Sequence, residues 1–414
     1  NGMEENVDYS TEEFVDFFKL RASQQDRMPE GMAINEELVA EIGDMSTEFL
    51  SYLIEQEIPL RPVMWFATAT WAEGRGIAGF VNEKKGNIQD PEAAMTVWGD
   101  WFTEHASQFA EIRTNSEVVE LVVNGGAVEG VVVQGPDRTY TVKAKKVILA
   151  CGGLSANTAL FRELNSDVPN IDTVFNFACA GDTGDYFALT EGLDFAQTGY
   201  GFIAYPGYRA PYGFHTPFGS MAATGFSMWV NNSAQRFTNE KGYYYQVGFR
   251  ILEQDGGEVY GIADAEHARV SVLEDAVAAG EAYKADSLEK LAALIGVDGA
   301  ALTATTEQYN ADYEAGGDTL FGQQAAQMTP IRTAPFYAMK VGVSTLGTMS
   351  SLKVNEKCEI LNSAGEAIPN LYGSGEVVFG NLFVQEYVAS GCAVGCAVYT
   401  GAIAAREALG AMVP

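Results

Sequence analysis

Apolar residues recur at two periods along the 414-residue chain, and the changes from one period to the other mark its elements. Residues 1–60 read as helical. Thr11-Glu12-Glu13 opens an apolar-periodic run, with Thr11 as its expected cap and the acidic pair suited to the positive end of a helix dipole. Over residues 36–55, Leu38, Ile42, Met45, Phe49, Leu50 and Leu53 fall at helical spacing. Residues 61–90 lose both periods and read as irregular; their Trp65, Phe66 and Trp71 suit a core plug or a pocket wall alike. A helix returns over 93–110. Period two follows: 118–123 and 128–133 are β-branched runs on either side of Asn124-Gly125-Gly126, the signature of a hairpin. A third run, 139–142, leads into Lys146-Val147-Ile148-Leu149-Ala150. That segment is almost wholly apolar, as a central parallel strand buried on both faces would be.

The apolar strand runs into a tight turn, Cys151-Gly152-Gly153. A second strand ends the same way, at Gly373-Ser374-Gly375-Glu376, ahead of a helix expected from Ser390-Gly391. Between them Ala180-Gly181-Asp182-Thr183-Gly184-Asp185 opens a helix through Ala188-Leu189. A strand, a glycine turn and a helix N-terminus let a backbone approach a large anion or a flat electron-accepting ring. Gly391, Ala393, Gly395, Ala397 and Gly401 keep the last helix small-sided, which suits packing on another backbone as well as on a cofactor. Aromatic residues crowd 200–245, 287–314 reads as one helical segment, and after Leu346 the texture of the first part resumes, with a hairpin around 362–365. The expected fold class is α/β with an α+β cap. One discontinuous domain covers 1–199 and 347–414, and a second, over 200–346, is inserted into it.

Fifty-five Asp and Glu against 25 Lys and Arg give a net charge of −30, which argues against nucleic acid and anionic membrane surfaces as partners. The longest apolar runs are short and broken by glycine, so no membrane span is expected. Five cysteines, an odd and scattered set, are no disulfide framework. Cys392 and Cys396 share a helix face and are expected to pack as small apolar side chains, and the three histidines lack zinc spacing, so no metal is expected. The chain begins Asn-Gly-Met, so removal of an upstream segment is expected; the location stays open between soluble cytoplasmic and exported.

Four motifs occur in order: Ala150-Cys151-Gly152-Gly153, Thr183-Gly184-Asp185, Arg236-Phe237-Thr238-Asn239-Glu240 and Leu371-Tyr372-Gly373-Ser374-Gly375-Glu376-Val377. Together, over nearly the whole chain, they resemble the flavoprotein family of fumarate reductases, succinate dehydrogenase flavoprotein subunits and 3-ketosteroid dehydrogenases. The resemblance implies a bacterial enzyme with a Rossmann-like FAD-binding domain interrupted by a capping domain, the substrate lying between cap and flavin. It implies that the Val118 backbone meets the adenine and that Ala150, Cys151 and Gly152 line the adenosine-pyrophosphate side. Asp185 would bind the flavin or its ribityl side, Glu376 the ribityl chain, and Ala393 and Val394 would approach the isoalloxazine. The helix N-terminus near Gly391 would stabilise negative charge on the reduced ring. The family opens with a strand and a G-x-G-x-x-G turn that holds the pyrophosphate. This chain has no such fingerprint, so its Rossmann-like domain is expected to lack the first βαβ. Either an upstream segment is missing from the sequence, or the chain binds flavin weakly or not at all.

The same resemblance places Tyr244, Gly347, Val388 and Tyr205 where fumarate-reducing members carry arginines and histidines that clamp two carboxylates. Without guanidinium forks the desolvation of a dicarboxylate is not offset, so fumarate and succinate are not expected. The tyrosines resemble instead those of the ketosteroid dehydrogenases. Tyr244 would be the catalytic tyrosine, Tyr387 with the Gly391 N–H would hold a substrate carbonyl, and Tyr205 is a further candidate. A further tyrosine those enzymes carry ahead of the hairpins has no counterpart here.

Hydride transfer between flavin N5 and a carbon β to a carbonyl creates an enolate-like oxyanion, and one donor aimed at it contributes about 3 kcal/mol. A tyrosine near its ordinary pKa of about 10 is a competent acid at neutral pH, which favours reduction. The expected activity is that of an FAD-dependent oxidoreductase acting on CH–CH groups. Its substrate would be an apolar carbonyl compound (an enone, an unsaturated lactone or a steroid-like molecule), and an electron donor or acceptor of unidentified kind would partner it. Two alternatives stand beside it: a reductase of an unsaturated carboxylate relying on Arg209 or Arg250, and a flavin-less binding protein. Arg236 and Glu240 are expected to fix the Asn-Glu turn. Phe202, Tyr208, Tyr212, Phe214, Phe218 and Trp229 either wall an apolar pocket or fill the cap core.

Overall fold

A computed structural model describes residues 10–24, 30–56, 60–63, 77–80, 91–207, 226–242, 244–384, 387–388 and 392–410. The chain divides into two compact units. The first comprises Asn1–Asn157, Ala180–Phe202 and Thr348–Pro414; the second comprises Thr158–Cys179 and Ile203–Gly347. Residues 158–179 thus group with the second unit, whereas the sequence pattern put everything up to 199 in one domain.

The first unit starts with α1 (Thr11–Ser23) and α2 (Glu36–Glu55). The cap of α1 is Ser10, one residue before the expected Thr11. Its hydroxyl accepts from the Glu13 N–H at 3.2 Å while its own N–H donates to the Glu13 carboxylate at 3.0 Å. Thr11 is drawn instead to Asp44 on α2. Leu38, Ile42, Met45 and Leu53 are the buried stripe of α2, as period 3.6 requires. Within the stretch that read as irregular, β1 (Leu60–Val63) and β2 (Ile77–Phe80) pair antiparallel; Trp65, Phe66 and Trp71 lie outside the described residues. After α3 (Pro91–Ser107) come β3 (Glu117–Asn124), β4 (Ala127–Gln134) and β5 (Thr139–Lys143), a three-stranded meander. Asn124 opposes Ala127, so Gly125 and Gly126, at φ +59° and +86°, form the two-residue turn that only positive φ allows.

Next along the chain are β6 (Val147–Leu149), α4 (Thr158–Leu164) and β7 (Phe175–Asn176), then α5 (Asp185–Thr190) and β8 (Gln197–Thr198). The second unit resumes with β9 (Phe202–Gly207), β10 (Met228–Val230), α6 (Tyr244–Leu252), β11 (Val259–Ala263), α7 (Val270–Ala278) and β12 (Ala282–Ala285). The helical segment expected over 287–314 is two helices, α8 (Leu288–Ile295) and α9 (Gly299–Glu314). Gly296 ends the first at φ +77°, and the Asp298 carboxylate caps the second on the Ala301 N–H at 2.7 Å. The long β13 (Phe336–Thr348) closes the unit. It lies between β11 and β12, and β7 and β9 also pair with it. The core of this unit joins Met228, Val230, Ile262, Leu291, Leu302, Tyr309 and Ala338.

The first unit is completed by β14 (Ser351–Leu352), β15 (Glu359–Leu361), β16 (Ala367–Gly373) and α10 (Cys392–Leu409). β6 pairs parallel with β16, with Val147 opposite Leu371 and Leu149 opposite Gly373. Both glycine turns that the sequence singled out therefore leave the same edge of one sheet. The sheet order is β15-β16-β6, so β6 is its outer strand among the described residues. The expectation of a strand buried on both faces fails here: Leu149 is buried, but Ile148 is 38% exposed. α10 is long and apolar enough, by length and composition, to cross a membrane. It packs on α2, buries Cys396, Ile403 and Ala404, and ties Arg406 to Glu41 at 2.9 Å, as a helix of the first unit.

Candidate active site

The turn after β6 is built by four stretches distant in sequence. Gly152 has φ +78°, and a Cβ there would stand 2.3 Å from the Asp182 Oδ1 atom. The Gly153 N–H donates to that same oxygen at 3.1 Å, and its carbonyl accepts from the Gly184 N–H at 2.9 Å. On its other side Gly153 meets Glu376, where a Cβ would fall 1.9 Å from Oε1. Thr348 donates to Glu376 Oε1 twice, from its N–H at 2.5 Å and its hydroxyl at 2.8 Å. The Leu154 N–H donates to the Thr348 hydroxyl at 3.3 Å. A side chain at 152 would displace the Asp182 carboxylate and one at 153 the Glu376 carboxylate, so glycine at both positions lets the two groups approach one turn.

Burial, followed by the charge of Asp182, pushes the Glu376 carboxyl up to about 7. The residue keeps some accessible surface, but its carboxyl group is packed deeply enough for desolvation to dominate. Burial and then Asp185 push the Cys151 thiol up to about 11. Burial and then Glu376 push the Tyr186 phenol well above its ordinary value; its hydroxyl donates to the Ser350 carbonyl at 2.5 Å. The Ser155 hydroxyl is buried without a hydrogen-bond partner.

Of the residues expected to hold the cofactor, Cys151, Gly152 and Glu376 meet around this turn. Asp185 joins them from the first turn of α5, exposed and accepting from the Thr183 hydroxyl at 2.6 Å. Ala150 is exposed just before the turn. Val118, 36% exposed, lies on β3, which packs beside α5. Asp182 was missed by the sequence reading. It stands in the same glycine-rich turn as Asp185, and nothing in that spacing tells a buried carboxylate from an exposed one.

The end of β16 is laced to α10: the Gly375 N–H donates to the Thr400 hydroxyl at 3.1 Å, and the Ser374 hydroxyl donates to the Ala397 carbonyl at 3.3 Å. At the start of α10 the Ala393 N–H donates to the Tyr387 hydroxyl at 2.8 Å. Tyr387 is 5% exposed, with its ring set edge-on against Phe383. Val394 is 57% exposed. Gly391 lies outside the described residues. Val388, at the place where the resemblance looked for an arginine, is buried.

In the second unit Tyr205 is buried on β9, and Tyr244 is the first residue of α6; its side chain lies outside the described residues. α6 presses directly on β9: a Cβ at Gly248 would come within 2.3 Å of the Ala204 carbonyl oxygen. The turn before α6 is anchored by Arg236. Its guanidinium donates to Glu240 at 2.7 Å and Asp318 at 2.9 Å, between the rings of Tyr309 and Phe321. Phe202 and Trp229 are fully buried core residues; Tyr208, Tyr212, Phe214 and Phe218 lie outside the described residues. Of the cations offered for a carboxylate substrate, Arg250 is an exposed partner of Glu253 at 3.0 Å, and Arg209 lies outside the described residues. Among the described residues, no three His, Cys, Asp or Glu side chains gather as a metal site would.

The first unit fits FAD on its own chemistry. It offers a glycine turn at positive φ, an orphaned buried hydroxyl beside it at Ser155, and a small-sided helix whose first turn leaves Val394 open. The profile of the FAD binding domain family matches residues 69–387. Over 279 residues the chain is 30% identical to a fumarate reductase (cytochrome) of Shewanella frigidimarina, covering 65% of this chain and 47% of that protein. Over 125 residues it is 38% identical to a digoxin reductase of Eggerthella lenta, covering 30% of this chain and 22% of that one. The solved 3-ketosteroid-Δ4-(5α)-dehydrogenase of Rhodococcus jostii RHA1 matches 98% of this chain and 85% of its own with a TM-score of 0.74; at 18% identity this shows a shared fold. The chain spans about half the length, or less, of these curated relatives. It belongs to the FAD binding domain family, with FAD as its cofactor.

Proposed function

We propose that the protein reduces a C=C bond conjugated to a carbonyl, in an apolar enone, unsaturated lactone or steroid-like substrate. The first unit acts as the FAD-binding domain and the second as its cap. The observation that carries this reading is Tyr387. A phenol that accepts a backbone N–H at a helix N-terminus becomes a stronger hydrogen-bond donor. Such a donor stabilises the oxyanion that develops on a substrate carbonyl, and the Gly391 N–H would join it. FAD, when bound, supplies the hydride chemistry. Tyr244 holds the proton destined for the α carbon, and the pressure of α6 on β9 fixes the backbone that carries it. Tyr205 supports that face of the cap. Val118, Ala150, Cys151, Gly152, Asp185, Glu376, Ala393 and Val394 form the cofactor cradle.

The test is Tyr244→Phe in the holoenzyme. Turnover of a neutral enone falls by about 100-fold or more while the visible flavin bands persist. Near-normal rates would overturn the assignment. A second reading, reduction of an unsaturated carboxylate, is favoured by the kinship with the fumarate reductase. The pairing of Arg250 with Glu253 speaks against it. Faster turnover of acrylate-type acids than of neutral enones would decide for it.

A further inference from the structure

Two carboxylates close on Gly153, and the donors that meet them are neutral. The Gly153 N–H reaches Asp182 at 3.1 Å. Both Thr348 donors fall on Oε1 of Glu376, which leaves Oε2 as the oxygen able to carry a proton. The titratable groups around Glu376 are Asp182 from the turn before α5 and Tyr186 from α5, with Cys151 from the turn after β6 beside Tyr186. The last two are held neutral by burial, so the charge acting on Glu376 is that of Asp182. A like charge packed on the same glycine favours the neutral form of Glu376, in the same direction as its burial.

We propose that Glu376 carries a proton on Oε2, the oxygen that Thr348 leaves free of its donors, and meets the FAD polyol chain as a hydrogen-bond donor. Asp182 is the positioning residue that fixes the Gly152-Gly153 turn and holds the pair at a single negative charge. This rests on the assignment of Glu376 to the cofactor cradle. Its consequence is proton-linked cofactor retention. The protonated form is present below a pH of about 7, and as pH rises through that value the second charge develops and the donor is lost.

The test is equilibrium dialysis of FAD against the full-length wild type, E376Q and D182N at about pH 6 and about pH 8.5, on either side of that value. Both variants preserve shape: Gln keeps an acceptor for Thr348 and an N–H donor in place of the proton, and Asn keeps the acceptor for Gly153. Wild-type affinity falls roughly tenfold between the two conditions, one unit of linkage. E376Q binds as tightly as wild type at the lower pH and about tenfold more tightly at the higher one. D182N loses affinity at a lower pH than wild type does. Loss of FAD by E376Q at both pH values would overturn the proposal, because Glu376 would then act as an ionised acceptor within an intact cradle. An unmoved pH profile in D182N would remove Asp182 from the pair. Identical, pH-independent affinity in wild type and E376Q would overturn the cradle assignment itself, and the proposal with it.

Discussion

Each unit of this protein gathers a pair of acidic side chains from distant parts of the sequence, and the two pairs are treated in opposite ways. In the second unit Glu240 and Asp318 share the Arg236 guanidinium at 2.7 and 2.9 Å, with side-chain exposures of 2% or less throughout. Burial raises the Asp318 carboxyl, but Arg236 outweighs it, and the net effect holds Asp318 below the usual carboxylate range. In the first unit Glu376 and Asp182 meet the neutral donors of Thr348 and Gly153, and burial pushes Glu376 up to about 7. A buried carboxylate with a fork-shaped cation stays charged and becomes an anchor. One with neutral donors beside a second carboxylate is pushed toward its protonated form. The anchor holds the turn that leads into α6, and Glu376 sits in the proposed cofactor cradle.

The largest expected effect breaks the anchor. Arg236→Met leaves two buried carboxylates uncompensated and lowers unfolding free energy by about 3–5 kcal/mol, read as a urea midpoint at pH 7. A loss under about 1 kcal/mol would mean that Arg236 is not what holds that pair in place.

Next is Glu376. The folded-state pKa of Glu376 lies above its ordinary 4.5, so its contribution to stability is complete below that pH and is lost as pH rises through about 7. The difference between wild type and E376Q therefore drifts against wild type across this window, by at most about 3 kcal/mol. A difference independent of pH would place the Glu376 proton elsewhere.

The smallest effect concerns the glycine between the carboxylates. Gly153→Ala costs about 1–3 kcal/mol by overpacking and loosens FAD, because its Cβ would collide with Glu376. Gly181→Ala, with nothing within 4 Å of its Cβ, is the matched control and stays within about 0.5 kcal/mol of wild type. Equal costs at the two sites would show that the close approach at Gly153 relaxes freely.

Much of the frame was legible because it rests on short-range rules. The stripe of Leu38, Ile42, Met45 and Leu53 follows from helical period, and the Gly125-Gly126 turn follows from the need for positive φ. The glycine turns after β6 and β16 were visible as strand ends, and the motif likeness was enough to identify the family. The reading of β6 as a central strand failed because apolarity reports what a strand could bury, and only its neighbours decide what it does bury. Asp182 was overlooked because its partner Gly153 is 29 residues away. Thr348 lies 28 residues from Glu376, and Arg236 lies 82 residues from Asp318. Spacing along the chain contains none of these distances.

The sequence by itself therefore determined most of the helices, the hairpin with its turn, the family and with it the cofactor. These depend on neighbours within a few residues and on motifs that survive being read in one dimension. Only the tertiary structure decided which partners the buried carboxylates meet and which way the Tyr387 hydroxyl is engaged. It also decided what a side chain at position 153 would meet, the Glu376 carboxylate. Desolvation and Coulomb energy depend on distances in space, and the Gly373-Ser374-Gly375-Glu376 turn acquires its chemistry from residues that reach it from elsewhere in the first unit.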